Sequence, residues 1–305
     1  MKKYIMQRFI ISLFTIWLIA TICFFLLRAL PGNPFLSTTI MTQEMVDKMM
    51  RYYGLDKPLV EQYFTYMSSL LQGDFGYSLK YAGRSVNHII RTTFPISAQL
   101  GLQALLFSIP TGLFFGIVSA RRRGKKVDTF LSGSTILVIS LPAFLIAAIL
   151  QYIFALKLGW FPVAQWRSFT HTILPTIALA LPLIASRTRG MRTLMLEVNE
   201  QDYLKTAKAK GLGEGKTVVF HQIRNAIIPM ITGLGQEIAT LLMGSFIIER
   251  AFSIPGMGAY FVNSIIGLDY TMVMGLTIFS ATFVVFANFI VDLLYGIIDP
   301  RIRII

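Results

Sequence analysis

Long uncharged apolar stretches follow one another along this chain, separated by segments rich in charge, proline or glycine. Five are long: Phe9–Leu27, Thr92–Ala120, Thr129–Leu156, Ser168–Ser186 and Tyr270–Val291. A sixth, Met230–Ile248, is long enough but carries Glu237. A bilayer core about 30 Å thick is crossed by about 20 apolar residues of helix, so each run predicts one crossing. Unpaired backbone groups are costly in lipid, which leaves helices as the form for such runs. The pattern predicts an all-α integral membrane protein with six transmembrane helices.

The segments between the runs have a character of their own. Residues 31–97 hold six basic and five acidic residues and include "TQEMVDKMMRYYGL". Thr42 is placed to cap a short helix there, with Met45, Met49 and Met50 or Tyr53 on one face and Gly54 as its stop. Pro58 prevents continuation. This predicts a folded insert after the first helix, serving either as a cap over the bundle or as a docking site. In 187–226, Asn199 is placed to cap a helix with Asp202 three residues on, and Tyr203, Ala207 and Lys210 fall on neighbouring turns. Gly211 ends that helix, Gly213 and Gly215 keep the chain turning, and "KTVVFHQIRNAII" leads to Pro229. The reading is a short surface helix, a glycine turn and a re-entry helix. Such a helix is either a knob for a soluble partner or a plain amphipathic surface element.

Charge then sets orientation. Hydrophobic residues make up 54% and charged residues 14% of the 305, against roughly a quarter charged in ordinary globular domains. The turn "RRRGKK" at 121–126 has five basic residues and no acid, and 187–226 carries eight more, whereas 157–167 has only Lys157 and Arg167. Short basic loops stay in the cytoplasm, so both termini, 121–128 and 187–226 are expected inside, and 31–97, 157–167 and 251–269 outside. The net charge of +13 is then a topology signal plus attraction to anionic lipid head groups. Because it is split among loops, it argues against nucleic-acid binding. Lys2, Lys3 and Arg8 precede the first run, but the run is too long for a signal peptide and "ALPGNP" lacks a small-x-small cleavage pattern. The lone Cys23 excludes a disulfide within the chain.

Little in the sequence points to catalysis. Gly215-Lys216-Thr217 looks like the end of a nucleotide-binding loop, yet position 210 is lysine where the first glycine belongs, and no strand precedes it. No H-E-x-x-H, no paired intramembrane aspartates and no flanked serine nucleophile occur. His88, His171 and His221 fall in separate regions, so no metal or other cofactor is expected. Pro110, Pro142, Pro175 and Pro182 interrupt membrane runs and are kink candidates, while Gly112, Gly116, Gly233, Gly235 and Gly244 permit close helix contact. Glu237 costs about 2.5–3.5 kcal/mol on insertion scales, so it should face the interior or a pathway. There it pairs with a cation or a peptide amino group, or hydrogen-bonds to Gln236 or another helix.

"DYLKTAKAKGL" followed by "HQIRNAIIP" resembles the cytoplasmic coupling segment of ATP-binding-cassette importer permeases of the peptide and nickel branch. "ALPGNP" at 29–34, "YGLDKPLVEQY" at 53–63, "GDFGYS" at 73–78, "FPVAQW" at 161–166, "FSIPGMGAYFVNSI" at 252–265, "LDYTMVMG" at 268–275 and "IIDPRIR" at 297–303 have counterparts in the same order. The likeness is greatest to the first permease subunit of oligopeptide importers from Gram-positive bacteria. It implies the type I importer permease fold, with 1–92 as first helix plus extracytoplasmic insert, 93–298 as transmembrane domain with a coupling helix near 199–215, and 299–305 as cytoplasmic tail.

The resemblance also implies partners. These are a second, homologous permease in a heterodimer, two cytoplasmic ATP-binding subunits, an external peptide-binding protein and a peptide substrate. Asp202, Tyr203, Thr206, Ala207, Lys210 and Gly211 would then dock in an ATPase groove, with His221, Arg224, Asn225 and Pro229 joining that helix to the fifth crossing. Where the superfamily motif opens with glutamate and two alanines, this chain has Lys205-Thr206-Ala207, a change the peptide branch shares. A dipeptide or nickel permease is the alternative within the family. An ion-coupled secondary transporter and a membrane scaffold are alternatives outside it; the former predicts intramembrane ionisable pairs and inverted repeats.

Overall fold

A computed structural model describes residues 2–29, 50–51, 54–81, 83–232 and 234–298. Helix α1 (Lys2–Ala29) is followed by α2 (Leu59–Leu71), α3 (Val86–Arg121), α4 (Lys126–Ser140) and α5 (Ala143–Leu150), which continues as π-helix over Gln151–Lys157. Next come α6 (Phe169–Asn199), α7 (Asp202–Ala209) and the single turn α8 (Glu214–Thr217), which continues as π-helix over Val218–Ile223. Then follow α9 (Arg224–Thr232), α10 (Leu234–Leu242), α11 (Phe246–Ala251), α12 (Met257–Ile266) and α13 (Tyr270–Ile298). Among the described residues the β pairing is an isolated bridge, Tyr77 to Ser85.

Among the described residues, four helices are long and apolar enough to cross a membrane singly: Ile5–Ala29, Val86–Arg121, Phe169–Asn199 and Tyr270–Ile290. The expected run Thr129–Leu156 is broken instead of straight, with α4 and the helix after it meeting at 107°. Pro142 is the cause. Its ring pushes the preceding residue out of the helical region, and Leu141 sits at φ −87°, ψ 131°. By contrast Pro175 and Pro182 lie inside α6 without ending it. The run at Met230–Ile248 is also segmented, into α9, α10 and α11 of nine, nine and six residues. Gly244, at φ +86° between α10 and α11, adopts a conformation that side chains oppose.

The chain forms two compact units, residues 1–97 with 255–305, and residues 98–254. In the first unit α1 lies along α13, with Phe9 edge-on to Phe289 at 6.2 Å. Helix α2 brings Tyr63 and Tyr66 to the fully buried Phe24, at centroid distances of 5.5 and 6.0 Å. The helix expected from Thr42 lies outside the described residues, but its stop does not. Gly54 has φ +65°, its N–H donates to Arg51 O (3.1 Å), and Leu55 N–H donates to Met50 O (2.8 Å). That pair of bonds is the Schellman pattern.

Asp269 ties this unit together. It caps α13 by accepting from Met272 N–H at 3.1 Å, and it also accepts from Ser78 Oγ, Leu79 N–H (3.1 Å) and Lys80 N–H (3.3 Å). Removing a buried acceptor strands its donors at about 1–3 kcal/mol. Asp269→Ala is therefore expected to lower stability by about 2 kcal/mol, with Asp269→Asn intermediate, as read by thermal unfolding of the purified protein.

In the second unit α3 and α6 meet backbone to backbone. A Cβ on Gly112 would lie 2.6 Å from Arg187 Cβ, and one on Gly116 would lie 2.8 Å from Thr188 O. The two glycines are four residues apart, the small-xxx-small spacing of tightly packed membrane helices. Met191 and Met195, one turn further along α6, share a core with Ala120, Val218 and Ala226.

Candidate functional site

The polar end of the second unit is built on α6. Its apolar stripe does not stop at Ser186 but continues through Met191, Leu194, Met195 and Val198, keeping helical spacing to Asn199. Two expectations change as a result. Asn199 is the last residue of α6 and not a cap for the next helix, and Arg187 is a helix residue and not a loop charge. After Glu200 and Gln201 the chain enters α7 at Asp202.

Helix α7 rests on Leu204, which is 1% exposed. Asp202 is exposed and pairs with Lys205 at 2.7 Å, and Thr206 Oγ1 donates to Asp202 O at 3.1 Å. Tyr203 is 42% exposed beside them. Ala207 lies within the helix, and Lys210, exposed just past its end, donates its N–H to Thr206 O at 3.0 Å. Gly211 stops the helix at φ +80°. Leu204 was not singled out from sequence, although it is the large aliphatic residue among polar neighbours in "DYLKTAKA".

The return path fixes this segment to α6. Within the π-helical stretch His221 is half-buried, and its carbonyl accepts from Asn225 Nδ2 at 2.6 Å. Gln222 Nε2 donates to Met195 O at 2.9 Å, a brace between re-entry helix and α6 that sequence reading missed. Arg224 and Pro229 are exposed on α9, and the helix continues past the proline. The "GEGKT" stretch is a helical turn following another helix, with Glu214 3.8 Å from Arg121. A phosphate loop needs a strand before it and free amides at a helix start. This geometry does not offer that arrangement.

Glu237 belongs to a separate cluster. Its Oε2 lies 2.5 Å from Nη2 of Arg187, which is 4% exposed, and Arg187 Nη1 donates to Ser108 Oγ at 2.8 Å. Of the partners open to Glu237, the structure supplies a cation from its own chain. A second pair clamps the start of α4: Arg192 donates from Nε and Nη2 to Asp128 at 2.7 and 2.9 Å, and Ser119 Oγ and Gly124 N–H donate to the same carboxylate at 2.5 and 2.9 Å. The i, i+5 spacing of Arg187 and Arg192 gives no hint of either partner. Both acids lie on other helices.

Known proteins agree with this organisation. Residues 112–304 match the family model described as "Binding-protein-dependent transport system inner membrane component", and residues 1–101 match the N-terminal model of such membrane components. The dipeptide transport system permease protein DppB of Bacillus subtilis (strain 168) is 43% identical over 305 residues, covering 100% of this chain and 99% of that protein. The oligopeptide transport system permease protein OppB is 39% identical in Haemophilus influenzae and 35% in Escherichia coli (strain K12), each covering 99% of this chain and 100% of the relative. Among solved structures, an amino acid ABC transporter crystallised with histidines aligns at TM-score 0.55 with 15% identity, covering 68% of this chain and 93% of that one. At that identity the likeness speaks for the fold.

Proposed function

Because the chain belongs to the family of binding-protein-dependent transport system inner membrane components, we propose that it is a permease subunit of an ATP-binding-cassette importer that carries peptides across the cytoplasmic membrane. The observation that carries this reading is an end-to-end match, at 35–43% identity, to permeases named for peptide transport. ATP is hydrolysed by two separate cytoplasmic subunits, and an external binding protein delivers the peptide. A homologous second permease completes the pathway, and both termini lie in the cytoplasm.

In this reading α7 is the coupling helix. Its exposed face, with Asp202, Tyr203 and Thr206, and Lys210 just past its end, enters an ATPase groove. Leu204 buries the inner side of α7, the turn α8 packs against α7, and Gln222 braces the helix that continues α8 to α6, so a displacement of α7 is passed on to a 31-residue helix. At 1.5 Å per residue that helix is about 46 Å long, enough to carry a cytoplasmic displacement through the bilayer core.

The substrate is an oligopeptide, supported by the motif series from "ALPGNP" to "IIDPRIR". A dipeptide is the second reading, favoured by the DppB proteins of Bacillus subtilis and Lactococcus lactis, at 43% and 40% identity. Proteoliposomes holding the full importer, supplied with internal ATP and binding protein loaded with labelled dipeptides through hexapeptides, test both. Uptake is expected to need ATP and the binding protein and to include the longer peptides. Uptake confined to dipeptides selects the second reading. Uptake by this chain alone on an ion gradient overturns both.

A further inference from the structure

Four buried side-chain polar atoms find no hydrogen-bond partner among the described residues, and three of them, Arg28 Nε, Gln62 Oε1 and Tyr66 Oη, belong to residues lining one cavity in the first unit. The cavity holds about 550 Å³ between the end of α1, helix α2 and the start of α13. That is within the range of about 300–1,000 Å³ typical of small-molecule sites. Buried polar groups are nearly always satisfied, so three orphans around one space mark it as built for a polar occupant.

The orphans specify its chemistry. Arg28 is held with its guanidinium carbon 5.4 Å from the Phe24 ring centroid, and none of the ion pairs among the described residues supplies it with a carboxylate. Arg28 is half-buried with its Nε out of solvent, so its charge is partly desolvated, and a guanidinium matches a carboxylate in shape. Arg51 and Lys57 line the same space, Lys57 paired with Glu61 at 2.6 Å, while the one lining acid among the described residues, Asp74, turns an oxygen onto its own loop, accepting from Gly76 N–H at 2.9 Å. With Lys57 so paired, Arg28 and Arg51 against Asp74 still leave the wall a positive excess. Gln62 spends its amide N–H groups on Leu55 O and Lys57 O, so its oxygen can only accept, and it requires a donor from the occupant. Tyr66 can donate or accept.

We propose that this cavity binds the free C-terminal end of a peptide, with its carboxylate on Arg28 and Tyr66 and a peptide N–H on Gln62. The site lies on the segment that charge patterning assigns to the outer face, where arriving substrate would first meet the permease. The proposal rests on the peptide-importer reading.

The test is equilibrium binding of a labelled peptide, as free acid and as C-terminal amide, to the full importer in phosphatidylcholine nanodiscs without the binding protein. Wild type is expected to bind the acid at least tenfold more tightly than the amide. Arg28→Gln should bind both alike, and Tyr66→Phe should weaken binding of the acid. Equal binding of acid and amide by wild type overturns the proposal whether or not Arg28→Gln assembles, as does an unaltered affinity in Tyr66→Phe. Native mass spectrometry after exchange into phosphatidylglycerol nanodiscs distinguishes a lipid source. A phospholipid retained by wild type, lost in Arg28→Gln and not displaced by peptide assigns the cavity to lipid phosphate and overturns the peptide site. ATP-driven uptake by the same wild-type complex reports separately on the importer reading.

Discussion

Glu237→Ala is expected to lower the stability of the second unit by about 3 kcal/mol, because it leaves Arg187 charged and buried with Ser108 as its remaining partner. Breaking a buried pair from one side typically costs about 3–5 kcal/mol, and the lower end applies here because the Glu237 side chain is 30% exposed. Glu237→Gln keeps an acceptor for Arg187 and should cost less. Replacing both residues with methionine removes the stranded charge and should recover most of the loss, since apolar substitutes for a buried pair are often neutral. Thermal unfolding of the purified importer measures each step of this cycle.

Import by the same variants separates a brace from a transport residue. If the double methionine variant recovers both stability and uptake, the pair is a brace between α6 and α10. Recovered stability with lost uptake places the pair in the transport cycle. If Glu237→Ala matches wild type in melting temperature, the ion pair contributes nothing and the structural account of Glu237 is wrong.

Hydropathy made most of the architecture legible, since a long run without charge has few options in a bilayer. It failed where one residue overrides its neighbours. At Pro142 the composition on both sides reads as one continuous crossing, yet backbone sterics turn the chain by 107°. At Met230–Ile248 length alone suggested a single helix, and the left-handed backbone at Gly244 divides it. Arg187 was counted with the loop charges because it follows the apolar run directly. Its partner is 50 positions away, and no local pattern reports such a pairing.

The candidate site was legible in proportion to how local it is. Helix α7 and its glycine stop follow from short-range chemistry, although the start falls at Asp202 and not directly behind an Asn199 cap. Asp269, an acid just before the last apolar run, is readable as a helix cap. Its bonds to Ser78, Leu79 and Lys80, about 190 residues earlier, are not.

Tyr203→Ala is expected to reduce ATP-driven import at least tenfold while leaving the membrane fold intact. Tyr203 is the exposed aromatic of a helix whose other large apolar residue, Leu204, is committed to packing. Aromatics in that position are the usual anchors of a protein interface, where truncation costs about 2 kcal/mol or more, a factor of about 30. The controls follow from the same geometry. Lys205→Ala breaks only an exposed pair with Asp202 and should leave import near wild type. Leu204→Ala should instead lower stability, by about 2–5 kcal/mol, because it opens a cavity beneath α7. Pull-down of the ATPase subunits, run beside uptake, decides between the two kinds of loss. Weakened capture with an unchanged melting temperature marks Tyr203 as a docking residue. Full capture and full import in Tyr203→Ala would mean that α7 does not couple through this face, and the chemical work would have to enter the membrane helices elsewhere.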